Sequence, residues 1–221
     1  MDRFVLAHAS GTDWKTIAKK CLENLSSLKK RPGFENLGLV YMTDSLSGDA
    51  NNILALLRKE TAIADWVGSV GMGVCATGQE YFNQPALAVL VTELPQDGFR
   101  LLESLNSPKT LPPAIASWAK SRDSRFAIVH GDPRNGEIPE IIAALADQLN
   151  GFLVGGLSSS RGELSQISGS VCDGGVSGVL LAEDVPIVTA LSQSCMPIAP
   201  RHQITACEKN VLIELDGRPA L

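Results

Sequence analysis

No run in this chain approaches the roughly 18 consecutive apolar residues that a membrane-spanning helix needs. Its start, Met1 to His8, lacks the long apolar core of a secretory signal. The sequence therefore predicts a soluble, cytoplasmic protein with no membrane partner. A basic excess is missing too: 19 Lys and Arg stand against 24 Asp and Glu, for a formal net charge of -5 at pH 7. Duplex binding needs a basic stripe that neutralises several phosphates, so nucleic acid is excluded as a partner. The one dense basic stretch, Lys29-Lys30-Arg31 before Pro32-Gly33, reads as a solvated helix end, where cations oppose the negative pole of the helix dipole. Cysteine is scarce and unpatterned. Cys21, Cys75, Cys172, Cys195 and Cys207 are odd in number and never spaced C-x-x-C, which argues against a disulfide framework and a zinc site and for a reducing compartment. No metal and no cofactor is expected.

What is present is an ordinary globular composition, 44% hydrophobic and 19% charged over 221 residues, enough for one large domain or two small ones built together. Phe4 to Ala7 reads as a strand. Gly11-Thr12-Asp13 then opens a helix whose Ile17, Ala18, Cys21, Leu22 and Leu25 follow the 3.6-residue period, so Cys21 faces the core. Leu37 to Met42 is a second strand, Asp49 caps a helix carrying Ile53, Leu54 and Leu57, and Trp66 to Val74 and Ala86 to Val91 are two more strands. That order, β-α-β-β, recurs. Phe126 to His130 is a strand, Pro139 opens a helix bearing Ile141, Ile142, Leu145, Ala146 and Leu149, Gly151 ends it, and Phe152 to Leu157 follows as a strand. Asp44 and Asp132 lie 88 positions apart, as do Ile53 and Ile141, and Val67 and Val154 lie 87 apart; this register favours a duplication over a coincidence of plan.

Between the two stretches, Leu111-Pro112-Pro113 and Ser121 to Ser124 mark a connection in which Ile115 and Trp118 predict a helical turn packed on the body. Gln166 to Cys172 and Val176 to Ala182 flank Asp173-Gly174-Gly175 and predict a hairpin; Gln203 to Glu208 and Val211 to Leu215 around Lys209-Asn210 predict another. The expected fold class is α/β (mixed α+β), with two pseudo-repeated β-α-β-β units forming mixed sheets covered by helices.

The chemistry, if any, lies near "VGSVGMGVCATGQE", residues 67 to 80. Gly71-Met72-Gly73-Val74-Cys75-Ala76 fits a dinucleotide pattern, but that fingerprint needs a helix opening inside it, and Thr77 to Pro85 carries no apolar stripe. No lysine follows the glycines, which removes a P-loop, and Gly68-Ser69-Val70-Gly71 is one residue short of a nucleophile elbow. Cys75 in an apolar strand reads first as a small buried residue and second as a nucleophile, for which a lowered pKa and a nearby histidine would be required. Asp44 and Asp132 read first as caps or turn formers and second as an acid/base pair. Two explanations of the glycines stay open. Either they permit close backbone packing, or Gly68, Ser69, Gly71 and Gly73 of one unit and Gly155, Gly156, Ser158 and Ser159 of the other line a ligand cleft with amides and hydroxyls.

At these residues the sequence resembles the FIST family, the F-box and intracellular signal transduction proteins. The carriers are Gly68 to Val74 leading through Gln79-Glu80 to Pro85 to Leu90; Gly155-Gly156 ahead of Asp173-Gly174-Gly175-Val176-Ser177-Gly178-Val179-Leu180; and Asp216-Gly217-Arg218-Pro219-Ala220. Ser69 departs from the family's frequent cysteine, and Val70 from its small hydroxyl residue. The resemblance implies an N-terminal FIST-like sensory domain over residues 1–215, with units at about 35–95 and 125–183 and a strand-rich end at 184–215, then the start of a C-terminal FIST-like segment at 216–221. It further implies an intracellular module that binds a small molecule, amino acids being the suggested class, and relays occupancy to a signalling output protein or to F-box-type machinery. Two alternatives stand beside it: an enzyme acting through Cys75 or the Asp44 and Asp132 pair, and a protein-interaction scaffold bearing a large exposed apolar patch.

Overall fold

The computed structural model describes residues 4–25, 31–108, 110–190, 196–197 and 199–220. By contact the chain divides into Met1–Pro186 and Ile187–Leu221. In the larger unit β1 (Phe4–Ser10) runs into α1 (Trp14–Leu25), where the Asp13 carboxylate caps the helix by accepting the Thr16 N–H at 3.0 Å. There follow β2 (Phe34–Thr43), a 3-10 turn (Asp44–Asp49), α2 (Ala50–Thr61), β3 (Asp65–Gly71), a small hairpin of β4 (Gly73–Ala76) and β5 (Gln79–Phe82), and β6 (Ala86–Pro95). The chain continues through β7 (Phe99–Leu105), α3 (Pro113–Ser121), β8 (Phe126–Gly131), α4 (Ile138–Leu149), β9 (Phe152–Leu157), β10 (Gln166–Ser168), β11 (Ser170–Cys172) and β12 (Val176–Leu181).

Two mixed sheets result, one ordered β1-β6-β2-β3-β10-β11 and the other β7-β12-β8-β9. The neighbours β2 and β3 are parallel, as are β8 and β9, and every other pairing within these sheets is antiparallel. Leaving out β10 and β11, both sheets carry the same order, and in each a helix links the parallel pair. Each half thus begins one strand and one helix earlier than the expected β-α-β-β unit. This is likeness of topology, which by itself does not establish common descent.

Both sheets are covered on one face by helices. In the first, Ile17, Ala18, Cys21 and Leu25 of α1 and Ile53, Leu54 and Leu57 of α2 form one core with Val40, Met42, Val70, Leu87, Val89 and Val91. Cys21 faces this core as expected, and burial pushes its thiol pKa up to about 12. In the second, Ile141, Leu145 and Leu149 of α4 and Trp118 and Ala119 of α3 pack on Leu102, Ala127, Val129, Val176 and Leu180. Strand residues alternate between faces, so Leu37, Leu39 and Tyr41 of β2 and Phe126, Ile128 and His130 of β8 point away from these helices. The sheets are joined by β10, whose Ser168 hydroxyl donates to the carbonyls of Leu102 at 2.8 Å and Gly178 at 3.1 Å.

Several expected elements are redrawn. The strand expected from Trp66 to Val74 is interrupted at Met72, where the chain leaves the large sheet to form the β4 and β5 hairpin. Gln166 to Cys172 folds back on itself at Gly169, whose φ of +70° suits the tight turn, so β11 pairs with β10. Asp173-Gly174-Gly175 therefore makes no hairpin between those strands: it carries the chain from one sheet to the other, where β12 pairs with β7 and β8. Asp49 occupies the cap position of α2 but gives no side-chain bond to the helix amides. The left-handed residue ending α4 is Asn150, with φ 44°, and Gly151 serves instead to let the Arg125 carbonyl approach within 2.4 Å of where a Cβ would stand. Of the basic stretch, Arg31 is not simply solvated but pairs with Glu93 at 2.7 Å, while Lys29 and Lys30 lie outside the described residues, as does Cys195.

The smaller unit holds β13 (Ile204–Glu208), β14 (Val211–Leu215) and β15 (Arg218–Pro219) in one antiparallel sheet. The expected turn at Lys209-Asn210 is present, with Lys209 at φ 53°. The Asp216 carboxylate accepts the Gln203 N–H and pairs with the His202 ring at 2.6 Å.

Candidate functional site

Glycine placement positions the site. Gly68 of β3 lies opposite Val40 of β2, and Gly155 of β9 lies opposite Val129 of β8. A Cβ on Gly68 would stand 1.7 Å from the Val40 carbonyl oxygen, and one on Gly155 would stand 1.8 Å from that of Val129. Both glycines are therefore required by close packing of the parallel strands. One residue further along each pair, Ser69 faces Tyr41 and Gly156 faces His130. Around Gly156 the opposite holds, since a Cβ there would meet no atom within 4 Å.

Past these strand ends lies a cavity of about 330 Å³ lined by Tyr41, Ser69, Val70, Gly71, Gly73, Val74, Cys75, His130, Gly155, Gly156, Leu157 and Ser159. Both sheets and the β4 hairpin contribute to it. Six of the eight residues singled out from the sequence line it: Ser69, Gly71, Gly73, Gly155, Gly156 and Ser159. Gly68 and Ser158 stand behind the wall. The Ser158 hydroxyl shares a 2.6 Å hydrogen bond with that of Ser69, and its N–H donates to the Gly131 carbonyl at 2.8 Å. Ser159 ties the two halves together, its N–H donating to the Val70 carbonyl at 3.3 Å and its Oγ accepting the Met72 N–H at 3.0 Å. Gly73 makes room for Phe82, whose ring would come within 2.3 Å of a Cβ at that position.

Tyr41 and His130 are cavity-lining side chains that the sequence did not single out as candidate site residues. They come from different sheets, and the Tyr41 hydroxyl and His130 Nε2 lie 3.0 Å apart in a hydrogen bond, their rings edge to face. His130 is only 4% exposed, and its Nδ1, itself buried, has no hydrogen-bond partner among the described residues. Burial lowers the imidazole pKa from 6.5 to about 4, so at neutral pH the ring is uncharged. Burial also raises the Tyr41 pKa, keeping the phenol protonated. The available signal was positional: each residue lies on the helix-free face near the end of its strand, Tyr41 three positions before Asp44 and His130 two before Asp132.

Those aspartates are held by arginines. Asp44 accepts the Arg161 Nε at 2.7 Å and Nη2 at 2.9 Å, together with the Arg161 backbone N–H. Asp132 accepts the Arg134 guanidinium at 2.5 Å and the backbone N–H groups of Arg134 and Gly174. In each case the arginine holds the carboxyl at about 2, well below its ordinary 3.8. Carboxylates so weakly basic transfer protons poorly at neutral pH. Cys75, expected to be buried, is exposed. It sits on a two-stranded hairpin whose alternate residue, Val74, takes the inward position.

The fold and site belong to a class of paired mixed sheets meeting at a small cavity built from strand ends. Residues 36–218 match the FIST N domain, and the chain belongs to that family, a sensory domain family of signal transduction. Two uncharacterized proteins from strains of Mycobacterium tuberculosis, MT0656 and Rv0628c, are each 28% identical to it over 196 residues, 86% of this chain. The chain spans about half the length of these curated relatives, the match covering 50% of each. No described helix is long and apolar enough to cross a membrane.

Proposed function

We propose that this chain is a non-enzymatic sensory domain that seats a small molecule in the cavity between Ser69 and Gly156 and relays occupancy to a partner or output domain. The observation that carries the reading is a cavity walled by both sheets, with space over Gly156 where a side chain would meet no neighbour. A cavity of about 330 Å³ suits a metabolite of a few carbons. Amino acids, the class implied by the resemblance, form the first panel to try. The output partner, whether a signalling protein or F-box-type machinery, belongs to the same proposal, as does a cytoplasmic setting.

The test is a thermal-shift screen of amino acids and small metabolites, with hits confirmed by calorimetry, on the native chain and on Gly156→Val. Saturating ligand at a hundredfold excess over Kd adds about 2.7 kcal/mol, a shift of several degrees. The variant fills the cavity from a position with no neighbour to strike. Loss of binding with folding intact supports the reading; unchanged affinity removes it.

One observation favours a second reading. Cys75 is exposed on the cavity wall, where a thiol could act as a nucleophile on a seated molecule. Titrating its alkylation rate against pH decides this, because an ordinary thiol pKa removes the cysteine route.

A further inference from the structure

The sheet ordered β7-β12-β8-β9 has two edges, and they are built differently. β7 carries Arg100 and Glu103, and charge on an edge strand discourages other strands from pairing with it. β9, at the opposite edge, reads Phe152-Leu153-Val154-Gly155-Gly156-Leu157, and no Asp, Glu, Lys, Arg or Pro stands anywhere from Gln148 to Ser160. Phe152 is 58% exposed and Leu157 57%. An uncharged apolar edge of this kind invites another strand.

The free backbone groups of β9 follow from its pairing with β8. The Phe152 N–H donates to the Arg125 carbonyl and the Ser158 N–H to the Gly131 carbonyl, so alternate residues from Phe152 to Ser158 face β8 in this parallel pair. Leu153, Gly155 and Leu157 therefore turn their N–H and C=O groups outward, where no other described strand pairs with them.

These groups are spaced to match themselves. A second β9 laid antiparallel about a two-fold axis at Gly155 sets Leu153 against Leu157, Gly155 against Gly155 and Leu157 against Leu153, each pair exchanging both of its hydrogen bonds. The side chains match too. Leu153 and Leu157 cover each other across the axis, and Phe152 falls diagonally over Gly156 of the copy, where a Cβ would meet no atom within 4 Å. An aromatic ring laid across an edge glycine restores the contact that the glycine lacks. Each chain carries a net charge of -5, but none of that charge lies between Gln148 and Ser160, so no like charges oppose along the strands.

We propose that β9 is a self-association edge: two copies of this chain join their β7-β12-β8-β9 sheets through antiparallel β9 strands into one continuous sheet. Gly155, Gly156 and Leu157 also line the cavity, so the second copy's Phe152, over Gly156, adds to the cavity wall on an exposed side. The pairing itself does not depend on whether that cavity holds a ligand.

Sedimentation equilibrium of the full chain over a concentration series, with NMR of a sample mixing methyl-labelled and unlabelled chains, tests this. The expected result is a reversible dimer showing intermolecular contacts between Leu153 and Leu157 methyls. Leu157→Lys and Phe152→Lys, both at exposed positions, should each raise the dissociation constant by about tenfold or more, because a charge is then set against apolar surface. Leu6→Lys, on the exposed edge strand β1 of the other sheet, should leave it unchanged. Melting curves check that the variants fold, and the methyl contacts of the native chain decide the matter if one does not. A chain that stays monomeric at millimolar concentration overturns the proposal, as does a dimer without the Leu153 to Leu157 contacts or one weakened only by Leu6→Lys. None of these outcomes touches the ligand reading, which the thermal-shift screen tests separately.

Discussion

At the scale of single residues, neighbouring glycines in one strand do opposite work. Gly155 is glycine because the Val129 carbonyl passes 1.8 Å from the site of its missing Cβ, and Gly156 borders open space. Gly155→Ala and Gly68→Ala should each lower stability by roughly 3 kcal/mol or more in urea denaturation, since backbone must move to relieve the contact. Gly156→Ala should change stability by no more than about 0.5 kcal/mol. Equal losses at Gly155 and Gly156 would mean that Gly156 faces packed structure. His130 adds a pH signature. Its folded pKa of about 4 lies below the ordinary 6.5, so as pH falls between those values the unfolded chain binds a proton that the folded chain refuses. Stability that His130 permits above pH 6.5 is therefore lost on acidification, by up to about 3 kcal/mol. Asp44 and Asp132 act in a lower window: their contributions are whole above 3.8 and disappear as pH falls toward 2. Denaturation series from pH 7 to 2 should show two steps, and His130→Phe should flatten only the upper one.

At the scale of elements, the Asp44 and Arg161 pair ties the end of β2 to the loop that follows β9, and Arg161 also donates to Asn83 at 3.1 Å. Arg161→Ala leaves the Asp44 side chain, 4% exposed, without its guanidinium. The expected cost is about 1 to 3 kcal/mol, discounted because the arginine itself is half exposed. The Asp44 pKa should rise toward 3.8, a change that carbon-detected NMR titration reads directly. An unmoved pKa would assign the depression to the backbone amides alone. This pair also shows where sequence reading stops. The helices were legible because Ile17, Cys21 and Leu25, or Ile141, Leu145 and Leu149, repeat at helical spacing. β7 was not, since its buried residues Phe99 and Leu102 are three apart and so lie on opposite faces of the strand, which hides the alternation. The glycine and serine walls were visible as local composition. The partners Tyr41 with His130 and Asp44 with Arg161 are separated by 89 and 117 positions, and only the packing of two sheets brings them together.

At the scale of the whole larger unit, two cores lie behind two sheets, and the cavity sits where their strand ends meet. A molecule seated there touches the first sheet at Tyr41 and Ser69 and the second at His130 and Gly156. Its binding energy therefore depends on how the sheets are set against each other. Occupancy can shift that setting only by its differential affinity for one arrangement over another, which is the physical content of sensing. The consequence is measurable in hydrogen exchange. A bound ligand should slow the amides of Ser69 to Gly71 and of Gly155 to Leu157 together, because local opening of either wall must first release it. Slowing should extend to β10, whose Ser168 joins the sheets, and should be absent from α1, on the far face of the first sheet. Protection confined to one wall would show that the ligand rests on a single sheet, and a relay through the packing of the two would then have no lever.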